Sequence, residues 1–429
     1  MLFRDITLLD ENLKVKEHQY VGIEKGKIDY IGDQKPEKDY GDVYEGKDRL
    51  LMSAFYNAHA HTPMVLMRGY GENLVLSDWL HRLIFPFEAK LKKNDVYYGM
   101  LLGIAEMVRF GVISTTDMYM QGEMMIKAAI ESGVKGNYGF GLTCFDDKDL
   151  KDIPAYHETK SLFETYHLAE DERIKIDVSI HGEYTSTPKV VKAFADYAKK
   201  IQGRVNLHLS ETSEEHEACK KRHGKTPAKY FYDLGVFDQP ATAAHCVYLE
   251  EEDFALLSEK GVTVASCPVS NLKLASGVAN IKKMYEEGIA VAIGTDSVAS
   301  NNSINFIEEM KFFALLQKGI YKDPTLITPD QTIYAATLAG AKAQGRMDAG
   351  RIKIGNRADL IVVDLSAPHM QPVHHLKNNL IYSASGSDVL MTMCDGKIVY
   401  KEGEFPTIDV ERAIYETNQS KNQILQQLI

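Results

Sequence analysis

Apolar and polar positions alternate through the first fifty residues. The stretch RDITLLDENLKVKEHQYVGIEKGKIDYIGD reads as short strands of a half-buried sheet, with a turn inside EKGKIDYIG. The same alternation returns near the other end, in GRIKIGNRADLIVVDLS and DVLMTMCDGKIVYKEGEFP, the second carrying a hairpin signal at Asp395-Gly396. Two terminal β segments around one long middle predict that both ends join in a small β-sandwich domain, residues 1–55 and 348–429. Helical periodicity returns in the closing stretch DVERAIYETNQSKNQILQQLI, which this reading assigns to the same domain.

Residues 56–347 follow a different rhythm. Strand-like apolar runs alternate with longer helical patterns such as DVYYGMLLGIAEMVRFG and TPKVVKAFADYAKKI, as βαβ units do. Eight candidate strands end near His59, Asp117, Thr143, His181, His208, His245, Cys267 and Asp296. The predicted fold is therefore α/β, a (β/α)8 TIM-like barrel, in which an active site sits at the C-terminal ends of the strands.

Those ends carry the chemistry. His59 and His61 in NAHAH are two residues apart, so on a strand both imidazoles share a face. Together with His208, His245 and Asp296 they converge on one mouth of the barrel. Imidazole nitrogens and a carboxylate suit Zn2+, and Fe2+ stays open because affinity order alone does not choose. In HLSET the carboxylate of Glu211 follows His208 just past a strand end, where a proton shuttle would sit. Asp296 would bind metal with one oxygen and take the water's proton with the other, and His245 would stabilise developing charge.

Composition narrows the partners. With 49 basic and 60 acidic residues the net charge is −11, so no basic stripe is available for nucleic acid. The N-terminus has no apolar run long enough for a signal or membrane segment, which predicts a cytoplasmic protein with a small-molecule substrate. Homo-oligomerisation stays open. Cys144, Cys219, Cys246, Cys267 and Cys394 are odd in number and widely spaced, so neither a disulfide framework nor a zinc ribbon is indicated.

The set NAHAHTPM, HLSET, AAHCVYL, SNLKLASG and GTDSVASNN resembles the amidohydrolase superfamily, most of all its mononuclear 5′-methylthioadenosine/S-adenosylhomocysteine deaminase branch. The resemblance spans nearly the whole chain. It implies one divalent metal held by His59, His61, His208 and Asp296, with Glu211 protonating a ring nitrogen and His245 assisting the attacking water. An adenine nucleoside would become its inosine analogue plus ammonia. By the same resemblance Trp79 would wall the pocket, Glu88 would bind ribose hydroxyls and His181 would contact the nucleoside.

The chain also departs from that branch. Ser297 follows the metal-binding Asp where glycine is usual, and Ser266-Cys267-Pro268 replaces His-Asn-Pro. Phe140 stands where relatives that take a homocysteine tail present an arginine, which favours an apolar 5′ tail. Glu183, two residues after His181 in HGEYTSTP, is read either as a substrate contact or as the bridging carboxylate of a binuclear amide or cyclic-amide hydrolase. Deamination of guanine, a pterin or a triazine is the nearer alternative. The segment MRGYGENLVLSDWL, with its glycines and large apolar residues, is the one expected to close the pocket.

Overall fold

The computed structural model describes residues 1–428; Ile429, included in the expected terminal domain, lies outside them. Among the described residues eight parallel strands form the barrel: Phe55–Ala60, Val112–Met118, Lys135–Gly139, 174–180, Val205–Leu209, Ala241–His245, Thr263–Ser266 and Ala290–Ile293. The fourth is broken at Asp177. Its first half pairs with Gly136–Tyr138 and its second with Val205–Leu207. The ring closes where the Asp296 N–H donates to the His59 carbonyl oxygen at 3.0 Å. Nearly every strand residue is buried on both faces, as expected when helices cover a parallel sheet from outside.

Small residues set how closely the helical segment 335–343 approaches the barrel strands. A side chain at Gly340 would overlap the Tyr56 carbonyl oxygen, and Ala339 packs with Ala58, Ala244, Ala265 and Ala292. That contact braces the first and last strands, the two that carry His59 and precede Asp296.

The chain termini meet in the second sheet. Its hydrogen-bonded order is Lys397–Lys401, Val389–Cys394, Leu360–Asp364, Arg49–Ser53, Leu2–Leu9, Val15–Glu24 and Lys27–Gly32, with Val43–Glu45 also on Leu2–Leu9. The expected sandwich is thus one continuous sheet curled around its own core. The seam between the two ends is the antiparallel pair Arg49–Ser53 with Leu360–Asp364. Alternation decides which way each residue faces: Leu51, Leu360 and Val362 join Phe3 and Ile6 inside the curl, whereas Leu50, Met52, Ile361 and Val363 join the barrel core.

A buried clasp holds this sheet to the N-terminal end of the barrel strands. Lys135 Nζ reaches Asp359 Oδ2 and, at 2.7 Å, Asp395 Oδ1, while the Tyr56 hydroxyl donates to Asp359 Oδ2 at 2.5 Å. Removing one member would strand a buried charge, so the clasp reads as structure rather than chemistry. The last helix, Val410–Leu428, takes a different place from the one expected. It lies along the barrel helix Lys93–Arg109, where Ser420 Oγ donates to Asp95 Oδ1 at 2.5 Å and Arg412 stacks over Tyr98. No helix among the described residues is long and apolar enough to cross a membrane.

Candidate metal centre and active-site cavity

Asn57, His59 and His61 occupy alternate positions at the end of the first strand, so their side chains share one face. Asn57 fixes the register to the far side of the ring, donating to Thr295 Oγ1 at 2.7 Å and accepting from the Thr295 N–H at 3.0 Å. His208 and His245 come from the fifth and sixth strands, and Asp296 follows the eighth. His245 (φ 71°) and Asp296 (φ 59°) sit in the left-handed region, a cost that non-glycine residues bear where the site requires it.

The donor set fits a divalent cation. His61 Nδ1 hydrogen-bonds the Met118 carbonyl and His208 Nδ1 the His181 carbonyl, so each ring carries its proton on Nδ1 and presents a lone pair at Nε2. Those two Nε2 atoms lie 3.2 Å apart with no proton to share. Two ligands at about 2.0–2.1 Å from a tetrahedral cation would be separated by about 3.3 Å. Asp296 Oδ1 is 3.4 Å from His61 Nε2 and 3.7 Å from His59 Nε2. The buried His59 Nε2 has no hydrogen-bond partner at all, which a cation would supply.

Charge follows the same logic. Burial holds His59 and His208 well below the usual imidazole range, so both are neutral and free to donate to a cation. Burial opposes ionisation of Asp296, but the facing imidazoles, His245 first, and the Ser270 hydroxyl outweigh it and its pKa is about 2. Its Oδ2 accepts from Ser270 Oγ at 2.5 Å and from Ser300 Oγ at 2.9 Å. Asp296 was expected to take a proton on that second oxygen. The two hydroxyls already fill its lone pairs, so the free oxygen is Oδ1, the one facing the histidines.

Glu211 lies 3.8 Å from His245 through Oε2 and Nε2. Burial raises its pKa, with Asp296 adding to the effect and His245 opposing it. His245 Nδ1 donates to Asn271 Oδ1 at 2.8 Å, leaving Nε2 turned to the site without a partner. Burial works against a charge on His245, yet Glu211 and Asp296 outweigh it and its pKa is raised.

These groups open into a cavity of about 490 Å3 that Trp79, Glu88 and His181 also line. Its roof is the segment expected to close over it, with Leu76, Leu80 and Ile84 contributing beside Trp79. Burial lifts Glu88 to about 7 and lowers His181 to about 4, so His181 is neutral at physiological pH. Met118, Met120, Phe140 and Phe145 form an apolar wall, and no lysine or arginine lines the cavity among the described residues.

Glu183 is the exception among the expected site residues. Its carboxylate is buried and turned away from the cavity, gripped by Arg222 through Nε (3.1 Å) and Nη2 and by His223 Nε2 at 2.9 Å. A carboxylate so paired is available neither to bridge metals nor to read a substrate. Conversely, Ser270, Asn271 and Ser300 orient site residues that sequence reasoning did not connect to them. Their signal was membership of the stretches SNLKLASG and GTDSVASNN, each just past a strand end.

The comparisons with known proteins agree with this geometry. Residues 50–399 match the model of the amidohydrolase family. The chain belongs to the amidohydrolase family. It is 39% identical over 416 residues to a 5-methylthioadenosine/S-adenosylhomocysteine deaminase of Dictyoglomus thermophilum, covering 97% of each chain. A protein of the same name from Caldanaerobacter subterraneus is 38% identical, covering 99% of this chain and 98% of that one. Among solved structures, an adenosine deaminase from Xanthomonas campestris with bound zinc superposes with a TM-score of 0.92 at 29% identity, covering 99% and 98% of the two chains. A zinc-bound atrazine chlorohydrolase of Arthrobacter aurescens shares the fold at a TM-score of 0.90 and 20% identity, covering 98% and 99%. As an amidohydrolase the chain is a hydrolase of carbon–nitrogen bonds, and its histidine and aspartate cluster is a divalent-metal site.

Proposed function

We propose that this amidohydrolase deaminates adenine nucleosides with a small apolar 5′ substituent, 5′-methylthioadenosine or 5′-deoxyadenosine, using one zinc ion. The observation that carries the reading is Glu211: a buried carboxyl with a raised pKa, facing the cavity beside the metal ligands. The relatives at 38–39% identity are named for this chemistry, and the zinc-bound structural neighbour is an adenosine deaminase. A single ion is favoured because Glu183 is engaged elsewhere and offers no bridge to a second.

His59, His61, His208 and Asp296 would hold the cation. When bound, the cation supplies Lewis-acid activation of the attacking water at neutral pH. Glu211, whose pKa burial raises, gives a proton to the ring nitrogen as the water oxygen adds to the carbon bearing the amine. His245 Nε2, unpartnered and flanked by Glu211, receives the proton that the water loses. The carbon–nitrogen bond then breaks: His245 gives its proton to the amine, which leaves as ammonia, while the added hydroxyl becomes the ring carbonyl and its proton returns to Glu211. Neutral His181 contacts the nucleoside, Glu88 takes the ribose hydroxyls and Trp79 covers the base.

The apolar wall selects the tail. A homocysteine carboxylate beside Phe140 and Met120 would lose water without gaining a cation, a penalty of several kcal/mol. The test is ammonia release from 5′-methylthioadenosine, 5′-deoxyadenosine, S-adenosylhomocysteine, guanine and a triazine. The first two turn over fastest; exclusive turnover of guanine or the triazine would overturn the reading.

A further inference from the structure

The strand that delivers His208 ends at Leu209, and the next helix begins at Ser213. Glu211 sits in the short connection. Thr212 caps the helix, its hydroxyl accepting from the Glu215 N–H at 3.1 Å. In an ordinary capping box the third helical residue returns its side chain to the N–H of the cap. Glu215 is that third residue, yet it reaches further back. Its Oε1 accepts from the Ser210 N–H at 3.1 Å and its Oε2 from the Glu211 N–H at 2.7 Å.

Both donors belong to buried residues, and Ser210 is itself turned into the left-handed region at φ 48°. Unmet, they would pull this turn toward other partners. Glu215 is 7% exposed and does not line the active-site cavity, so it cannot touch a substrate there. His216 braces the same turn from the other side, with Nδ1 3.3 Å from Ser210 Oγ.

We infer that Glu215 is a positioning residue for Glu211: by holding the Ser210 and Glu211 N–H groups with its two oxygens, it aims the Glu211 carboxyl at the reacting ring. The inference rests on the reading of Glu211 as the proton donor. It also explains why a carboxylate is needed here. Two N–H donors require two acceptor oxygens, whereas a glutamine offers one oxygen and sets an N–H against the remaining donor.

The experiment is a double-mutant cycle on the full-length, metal-quantified protein with 5′-methylthioadenosine as substrate. Glu215→Gln is expected to lower kcat by about 10- to 100-fold, with KM and metal content nearly unchanged. Glu211→Gln is expected to lower kcat by about 1000-fold or more, and the double variant should be no slower than Glu211→Gln alone. Thr212→Ala, which removes the cap but not the Glu215 bonds, should lose stability and keep kcat. Should Glu215→Gln not fold, Glu215→Asp, one methylene short of both donors, takes its place in the cycle. Costs that multiply in the double variant, or an unchanged kcat in the Glu215 variant, would overturn the inference. Undiminished turnover in Glu211→Gln would instead overturn the reading of Glu211 itself, and this inference with it.

Discussion

His61 and His208 face each other through Nε2 atoms 3.2 Å apart, each ring held by a backbone carbonyl at Nδ1. Two lone pairs so arranged repel unless a cation lies between them. Stripping the metal with a chelator should therefore lower the thermal midpoint, and zinc should restore it. At free metal about 100 times Kd the gain is about 2.7 kcal/mol, read by thermal denaturation of stripped and reloaded protein. Identical midpoints would mean that His59, His61, His208 and Asp296 hold no ion.

Glu183 offers a separate check on metal count. Glu183→Gln removes a buried charge from Arg222 and His223 without touching the cavity. It should lower stability by about 1–3 kcal/mol while leaving the metal-to-chain ratio and kcat nearly unchanged. A ratio that falls from two to one would restore the binuclear alternative.

Tail selectivity should yield to one substitution. Phe140 lines the cavity just past the third barrel strand. Phe140→Arg brings a guanidinium to the apolar wall, and a charge-assisted hydrogen bond is worth about 1.5–3 kcal/mol. The ratio of kcat/KM for S-adenosylhomocysteine to that for 5′-methylthioadenosine should rise about tenfold or more. An unchanged ratio would place the 5′ tail elsewhere.

Stability should depend on pH through Glu309, which lies buried beneath the site. Its Oε1 accepts from Asn301 Nδ2 and its Oε2 from the Val269 N–H at 3.3 Å, yet burial dominates and lifts its pKa to about 8. Between the ordinary carboxyl range and about 8 the unfolded chain has lost this proton and the folded one retains it. Unfolding then releases a proton, and the contribution to stability falls as pH rises, by up to about 1.4 kcal/mol per unit. Glu309→Gln is neutral throughout, so the variant's stability relative to the wild type should increase from about pH 5 to about pH 8. A constant difference between the two would contradict the shift.

Much of this site was legible because barrel physics writes it into local pattern. Parallel strands buried on both faces leave apolar runs, and a period of two puts His59 and His61 on one face. What escaped was long-range partnership. Glu183 looked like a site carboxylate because its partners Arg222 and His223 sit some forty residues later, on a helix that no local pattern ties to it. Ser270, Asn271 and Ser300 sit on helices of one to two turns, too short for a periodic pattern, so periodicity did not tie them to Asp296 or His245. The terminal segments read correctly as strands, but alternation alone does not distinguish two facing sheets from one sheet that curls. The last helix has an apolar stripe and no local sign of which surface receives it, and the barrel helix Lys93–Arg109 does.

If one metal ion beside Glu211 deaminates an adenine nucleoside, activity must track bound metal. Zinc is titrated into stripped protein and ammonia release from 5′-methylthioadenosine is followed at each loading. Release should grow in proportion to bound zinc and level off at about one ion per chain. No ammonia at any loading, or activity that begins only after the first equivalent is bound, would contradict it.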